Sequence, residues 1–502
     1  MGGLAFASGP NPVFTPRMKP SVYRAVRDRC QEALRRLFVV VATPIEGPAK
    51  TSFGDIDLFV AWRREETFPH SAARTGAKLP PPKEAIFQAL GAIRSKSEHA
   101  HIATLAIPWP TDIPYDGAEP ATTGRVPETP AADDESARPS PSPSPCIQVD
   151  VHVCPTLELL QWMLFKHAHG DLWNVLGSTI RPLGLTIDEE ALYVRVPEIE
   201  ASNKKLAKVR LSAEPAEILS FLGLASDAGQ WEAPFARDED VFEYAATCRL
   251  FWVRPAHDDD NNNNNGGAGE EGTEEGPAAD RRKLKSNDRR RMEYRPLFRK
   301  WIDEFLPACR AAGRSGGGGG GGGGTSATMP TRDAVRAQAF ARFPGAAPAY
   351  AARLAAWRAA TQRQALWRDV IKPAVPAADP GGGLEAQQRR GCCCAALKKI
   401  ILAGDDGFGG IVAPPHLKRP GPGSGSGGVG NDNDDDDNDD NTLFDEDAVR
   451  AWVAANWRRV GDAAWEANRL RKEAKGPPKR TVSGQEKQSA EDAAGEVVAG
   501  AG

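Results

Sequence analysis

Long apolar runs are missing from this chain of 502 residues. The longest are six residues, such as Leu37–Ala42, where a membrane span needs about 18 or more. That excludes a membrane-spanning protein. The N-terminal MGGLAFASG has neither a basic region nor a long apolar stretch, so no secretory signal is expected, and Phe6 breaks the myristoylation pattern. No CxxC occurs among the eight cysteines, whose spacings fit neither a disulfide framework nor a zinc ribbon. A reduced, intracellular setting is the natural reading. The Walker pattern, G-x-S-x-G and H-E-x-x-H are absent too, as is a Rossmann fingerprint in a strand–turn–helix setting. Excess charge of one sign is also lacking. The net charge of −4 excludes a polycation, although residues 281–300 hold ten Lys/Arg against two acids. Electrostatic attraction to phosphates would be local.

What the chain has in quantity is glycine and proline, 50 and 41 residues, much of it in runs. Residues 1–19 and six tracts (112–145, 256–280, 313–330, 374–391, 404–441 and 474–502) read as unable to build a core. Between them, the spacing of apolar residues predicts elements. Val22, Val26, Cys30, Leu34 and Leu37 place a helix over residues 20–37. Strands are expected at Phe38–Val41, Asp55–Trp62, Ile102–Trp109 and Cys146–Cys154, with a helix at Lys83–Arg94. Helices at Leu157–His169 and Leu172–Leu176 follow, then a hairpin of Leu185–Ile187 with Ala191–Val196. Further helices are expected at Ala213–Gly223, Asp238–Leu250, Arg289–Pro307, Arg332–Lys372 and Asp445–Glu473. No period of 20–50 residues indicates a solenoid.

Chemistry concentrates at Ser52-Phe53-Gly54-Asp55-Ile56-Asp57, followed by apolar Leu58-Phe59-Val60. Residues i and i+2 of a strand share a face, so Asp55 and Asp57 would present carboxylates about 7 Å apart. Asp150 lies inside the apolar strand Ile147–Val153, where a lone acid costs desolvation unless partnered. If the two strands pair side by side, three carboxylates converge. Hard oxygen ligands of this kind suit Mg²⁺ held together with substrate phosphates, and two such ions can serve in-line phosphoryl transfer.

In its order of motifs the chain resembles the polymerase-β-like nucleotidyltransferase superfamily, and DNA polymerase family X in particular. The resemblance rests on SxGDxD before an apolar strand, then helix, strand and apolar-Asp-apolar. It continues through Phe165–Asn174, Gly184-Leu185-Thr186-Ile187-Asp188 and the AEPAEILSFLGL of residues 213–224, covering roughly residues 20–255. It implies an α+β fold: a nucleotidyltransferase-type mixed sheet with flanking helices at 20–154, carrying an insert at 112–145, and a thumb-like α/β lobe at 155–255. A discontinuous helical region at 281–473 and a tail at 474–502 would follow. No N-terminal DNA-binding domain is expected.

The resemblance also implies a Mg²⁺-dependent transfer of a nucleotidyl group from a nucleoside triphosphate to a hydroxyl, without a template. Asp55, Asp57 and Asp150 would be the metal ligands and catalytic acids. Ser52, Gly54, Lys50, Lys166, Gly170, Asn174 and Arg181 would contact the nucleotide. The family's Gly-Ser phosphate cradle is replaced here by Thr43-Pro44, and Pro44 has no N–H to donate. A catalytically silent fold serving as a binding or scaffold module is therefore the alternative.

Two other features have two or more readings. His99 and His101 share one strand face and His152 and Cys154 another; ordinary strand residues are expected over a zinc site. The basic stretch 281–300, with Tyr294, Phe298 and Trp301, fits a solvated helix face, a nucleic-acid track or a nuclear import signal. The Lys/Arg clusters at 281–291 and 469–480 favour the nucleus over the cytoplasm. Cys392–Cys394 reads as incidental.

Overall fold

A computed structural model describes residues 3–8, 11–68, 81–96, 101–115, 144–226, 231–253, 286–314, 329–378, 380–406, 408–419 and 442–474. The expected α+β class is what the chain adopts. It divides into two compact units, residues 1–350 and 351–502. Among the described residues, no helix is long and apolar enough to cross a membrane.

The first unit is built on a five-stranded mixed sheet. Its strands are β1 (Phe38–Ala42), β2 (Asp55–Arg63), β3 (Arg94–Lys96), β4 (Ile102–Pro108) and β5 (Cys146–Cys154), in the order β1-β2-β5-β4-β3. Only β2 and β5 run parallel. Period-two alternation sorts their side chains by face. Ile56, Leu58, Val60, Val149 and Val151 form one buried face with Leu105 and Ile107 of β4. Helix α1 (Pro20–Arg35) covers it with Val22, Val26, Cys30 and Leu34, recurring at four-residue steps, and α2 (Pro82–Ala89) adds Ile86.

Among the described residues, the opposite face carries apolar packing at its two ends. At one end Phe59, Ala61 and Cys154 pack against Leu160 of α3 (Leu157–His167), whose N-cap Thr156 accepts from the Leu159 N–H at 3.1 Å. At the other, Phe6 packs on Ala106 and Cys146. The acids lie between.

A second lobe of the same unit holds α4 (Leu172–Ile180) and an antiparallel sheet of β6 (Leu185–Ile187), β7 (Leu192–Arg195) and β8 (Lys208–Ser212). Helices α5 (Pro215–Leu222) and α6 (Asp238–Ala246) follow, α5 ending at Gly223 in the left-handed conformation. Next come α7 (Ser286–Tyr294) and α8 (Pro296–Lys300), which runs into a π-helical turn and a last short helix ending at Ala311. Helix α9 (Arg332–Arg342) completes the unit, with Phe343 edge-on to Phe221.

The unit boundary falls inside α10 (Ala346–Ala365). The second unit contains α11 (Gly383–Ala403), the small ladder of β9 (Lys418–Arg419) with β10 (Leu443–Phe444), and α12 (Glu446–Ala474). Its core joins Leu366, Val370, Leu397, Ile400, Val453 and Val460.

Several expectations need correction. Residues 383–391 of the tract read as unfoldable are helical. Burial of Cys393, Cys394, Leu397, Ile400 and Ile401 on one face outweighs the roughly 1 kcal/mol that Gly391 costs a helix. Cys392–Cys394 is accordingly part of a packed helix, and two of its three side chains are buried. Ile411 and Leu417 in 404–441, and Phe6 and Met18 in 1–19, are buried as well. The helix expected to reach Arg94 stops at Ala89, because Arg94–Lys96 pairs with β4, and β8 was not anticipated. His99, most of the 112–145 insert and the tail beyond Ala474 lie outside the described residues.

Candidate nucleotide-binding cleft

The parallel pairing of β2 with β5 decides where the acids stand. Its register sets Asp57 directly beside Asp150 and Asp55 beside Gln148, with Thr104 of β4 on the far side of Asp150. Adjacent strands are about 4.8 Å apart, so Asp57 and Asp150 are near neighbours on one face, and Asp55 follows two residues along it. Burial, then the charges of Asp57 and Asp150, push the Asp55 carboxyl up to about 7. Burial also raises Asp150, against the hydrogen bonds it receives from Gln148 and Thr104.

The bond from Gln148 leaves Asp150 asymmetric. Its Oδ2 accepts from Gln148 Nε2 at 2.8 Å, while Oδ1 is shielded from solvent and has no hydrogen-bond partner. Gln148 is itself buried and fixed through its Oε1, which accepts from the Ala5 N–H at 3.0 Å. His152, next along the face, sets Nε2 3.9 Å from Asp57 Oδ1 and stacks on Phe59. Of the residues weighed for zinc and read as ordinary strand residues, His99 lies outside the described residues, and Cys154 Sγ points to the His152 carbonyl at 3.9 Å. Among the described residues, no three His, Cys, Asp or Glu side chains are grouped in ligand geometry. For the acids, donor chemistry still fits a hard cation. Asp150 offers an orphaned oxygen, and Asp55 is crowded by like charge.

Asp55 and Asp57 open into a cleft of about 950 Å³. One wall is the segment Pro44–Gly54. It is pinned from several sides. Met18 and Phe53 exchange backbone hydrogen bonds, Tyr23 stacks on Phe53 with ring centres 3.9 Å apart, and the Tyr23 hydroxyl donates to Glu46. Arg17 donates to Ser52 twice, to Oγ and to the carbonyl, each at 2.8 Å. Ala49 is in the left-handed region, and the N–H groups of Lys50, Thr51 and Ser52 donate to no other described residue. Such a run of free N–H groups suits an anion. Gly47 approaches Gly170, itself left-handed, so closely that a Cβ on Gly170 would lie 3.2 Å from the Gly47 Cα.

Every nucleotide-contact residue expected from sequence lines this cleft: Ser52, Gly54, Lys50, Lys166, Gly170, Asn174 and Arg181. The opposite wall had not been anticipated. Arg291 and Tyr294 of α7, Arg295, and Lys300 of α8 line it. Arg291 Nε donates to Asn174 Oδ1 at 3.0 Å, and Arg295 pairs with Asp171. Arg181 and Arg291 share Asp288 at 2.8 and 2.7 Å. Burial lowers Arg181 to about 10 despite Asp288, so it stays cationic at neutral pH. Lys50 rests on Glu46, Lys166 on Glu189 and Lys300 on Asp238. His167, 3.7 Å away, and then Lys166 beside it hold Glu189 down to about 2 against the effect of burial. Arg17 also lines the cleft; one of its nitrogens, Nη1, is buried without a partner.

Sequence reasoning flagged the basic segment as a feature but had no means of placing it here. Arg17 gave no signal, being separated from Ser52 by 35 positions. No family model matches this chain, and no curated protein is similar to it.

Proposed function

We propose that this protein is a Mg²⁺-dependent nucleotidyltransferase of the polymerase-β-like kind, moving a nucleotidyl group from a nucleoside triphosphate to a hydroxyl without a template. The observation that carries the reading is the register of β2 on β5. It brings Asp57 beside Asp150 and Asp55 along the same face, at the edge of a cleft with basic walls.

Asp55 and Asp57 would hold the metal pair with Asp150 as a third ligand, and the ions would supply charge neutralisation at the reacting phosphate. The chain's own groups divide the remaining work. Asp150, oriented by the bond from Gln148 to its Oδ2, would take the proton of the attacking hydroxyl. The new bond is acceptor O to the α-phosphorus; the bond that breaks joins that phosphorus to the bridging oxygen, and pyrophosphate leaves with the electron pair. Lys50, Lys166 and Arg181 balance phosphate charge from the walls. Arg291, Arg295 and Tyr294 suit an acceptor with a phosphate backbone, so nucleic acid is the acceptor class we favour. Free cysteines and basic clusters support an intracellular, nuclear location.

The second reading, a silent binding module, is favoured by Pro44 on the phosphate wall and by the ungrouped ligands. Calorimetry with each NTP, with and without Mg²⁺, separates binding from its absence. Mg²⁺-dependent binding that disappears in Asp55→Ala/Asp57→Ala supports the transferase site. Absence of binding in both proteins overturns it.

A further inference from the structure

The second unit carries a groove that the nucleotide cleft does not involve. It is about 870 Å³ and runs along α11 from Arg390 to Ala403, a length of about 20 Å at the helical rise. Its other wall is the stretch from Arg363 through Trp367 to Lys372. Trp367, Leu402 and Ala395 make the floor apolar. Most buried side chains of α11 face the core of the unit, and the groove runs beside them along exposed Ala395, Lys398 and Lys399, reaching buried Cys394.

The rim has one sign. The five charged side chains of the groove are cationic: Arg363 and Lys372 on one wall, Arg390, Lys398 and Lys399 on the other, Lys399 also standing 3.9 Å from Asp405 outside the groove. No acid lines the groove among the described residues. Lys398 Nζ stands 5.3 Å from the Trp367 ring centre, which joins the charged rim to the apolar floor. Arg390 is braced by donating to the carbonyls of Lys372, Val375 and Pro376, so the two walls are held together at that end.

We propose that this groove docks an amphipathic helix of a partner protein, about 14 residues long, with an apolar face and acidic residues on both flanks. The length matches the groove, the apolar face matches its floor, and cations on both walls require acids on both sides of the apolar stripe. The chain's own acidic tract, Asn431–Asn441, supplies charge but no apolar side chain, so it meets only half of that requirement.

The test uses the full chain and a synthetic helical peptide of about 14 residues, built from Leu on one face and Glu on its flanks. Calorimetry should give saturable binding that weakens about tenfold or more in Lys398→Glu/Lys372→Glu and in Ala395→Tyr, which fills the floor. Both variants alter exposed positions, and an unchanged thermal midpoint confirms that they are folded. The same peptide with Lys in place of Glu should not bind. Equal binding of the Lys peptide, or binding unchanged in both variants, overturns the proposal. So does displacement of the peptide by oleate at equal concentration, which would make the site one for small amphiphilic anions. A marked gain in peptide affinity on replacing residues 431–441 by Gly/Ser also overturns it, because the acidic tract would then be the resident occupant.

Discussion

At the residue scale, the chemistry rests on what surrounds three carboxylates. Asp55 holds its proton far more tightly in the fold than the usual 3.8, to about 7. A raised carboxyl favours the protonated folded state. Its contribution to stability is present below about pH 4 and is lost as pH rises through about 7. Without divalent cations, Asp55→Asn should therefore raise the thermal midpoint at pH 8 by about 2–4 °C or more and leave it nearly unchanged at about pH 3.5. Scanning calorimetry at the two pH values checks this; an equal shift at both would contradict it. Mg²⁺ affinity should climb as pH rises through 7, since the ligand must give up its proton. Gln148 acts one step removed, orienting Asp150 while tied to the Ala5 N–H. Gln148→Leu should cost about tenfold or more in Mg²⁺ affinity, read by calorimetry, while ATP binding without metal stays unchanged.

At the element scale, the wall segment Pro44–Gly54 has no regular structure, yet it is fixed by contacts from three directions. The closest is with Gly170, where a side chain has no room. Gly170→Val combines a clash with a left-handed backbone that a β-branched residue resists. It should cost about 1–3 kcal/mol of stability and weaken nucleotide binding together. Denaturant unfolding and NTP titration of one preparation test both halves. In the second unit, Gly461 plays a comparable part: a Cβ there would lie 3.3 Å from Cys393 Sγ, so the crossing of α11 and α12 depends on a glycine. Gln362 brackets Phe444, donating to its carbonyl at 2.9 Å and accepting from its N–H at 2.8 Å, which satisfies the edge of the short β9–β10 ladder.

At the scale of the whole molecule, the cleft and its cations belong to residues 1–350. A fragment ending at Tyr350 should melt cooperatively and keep the Mg²⁺-dependent nucleotide affinity of the full chain within about threefold. Loss of binding in a fragment that still melts cooperatively would show that the second unit contributes to the site.

Local pattern made the acid pair, the longer strands and most helices readable in the sequence, because period-two and period-3.6 alternation reflect which face of each element is buried. Asp150 was also legible, since a carboxylate amid Ile147, Val149 and Val151 needs a partner. The helix over 383–391 was not legible, since its glycines argue against it and only the apolar faces of α12 and the stretch around Val370 make burial available. Strand register, by contrast, is set by long-range pairing. Only the fold could bring Asp57 beside Asp150, Arg17 onto Ser52, and Arg291 to Asn174 across 117 positions. Sequence determined which residues carry charge and which faces are apolar. Tertiary structure decided which charges meet, because contact between distant segments follows from packing the whole core and not from any local repeat.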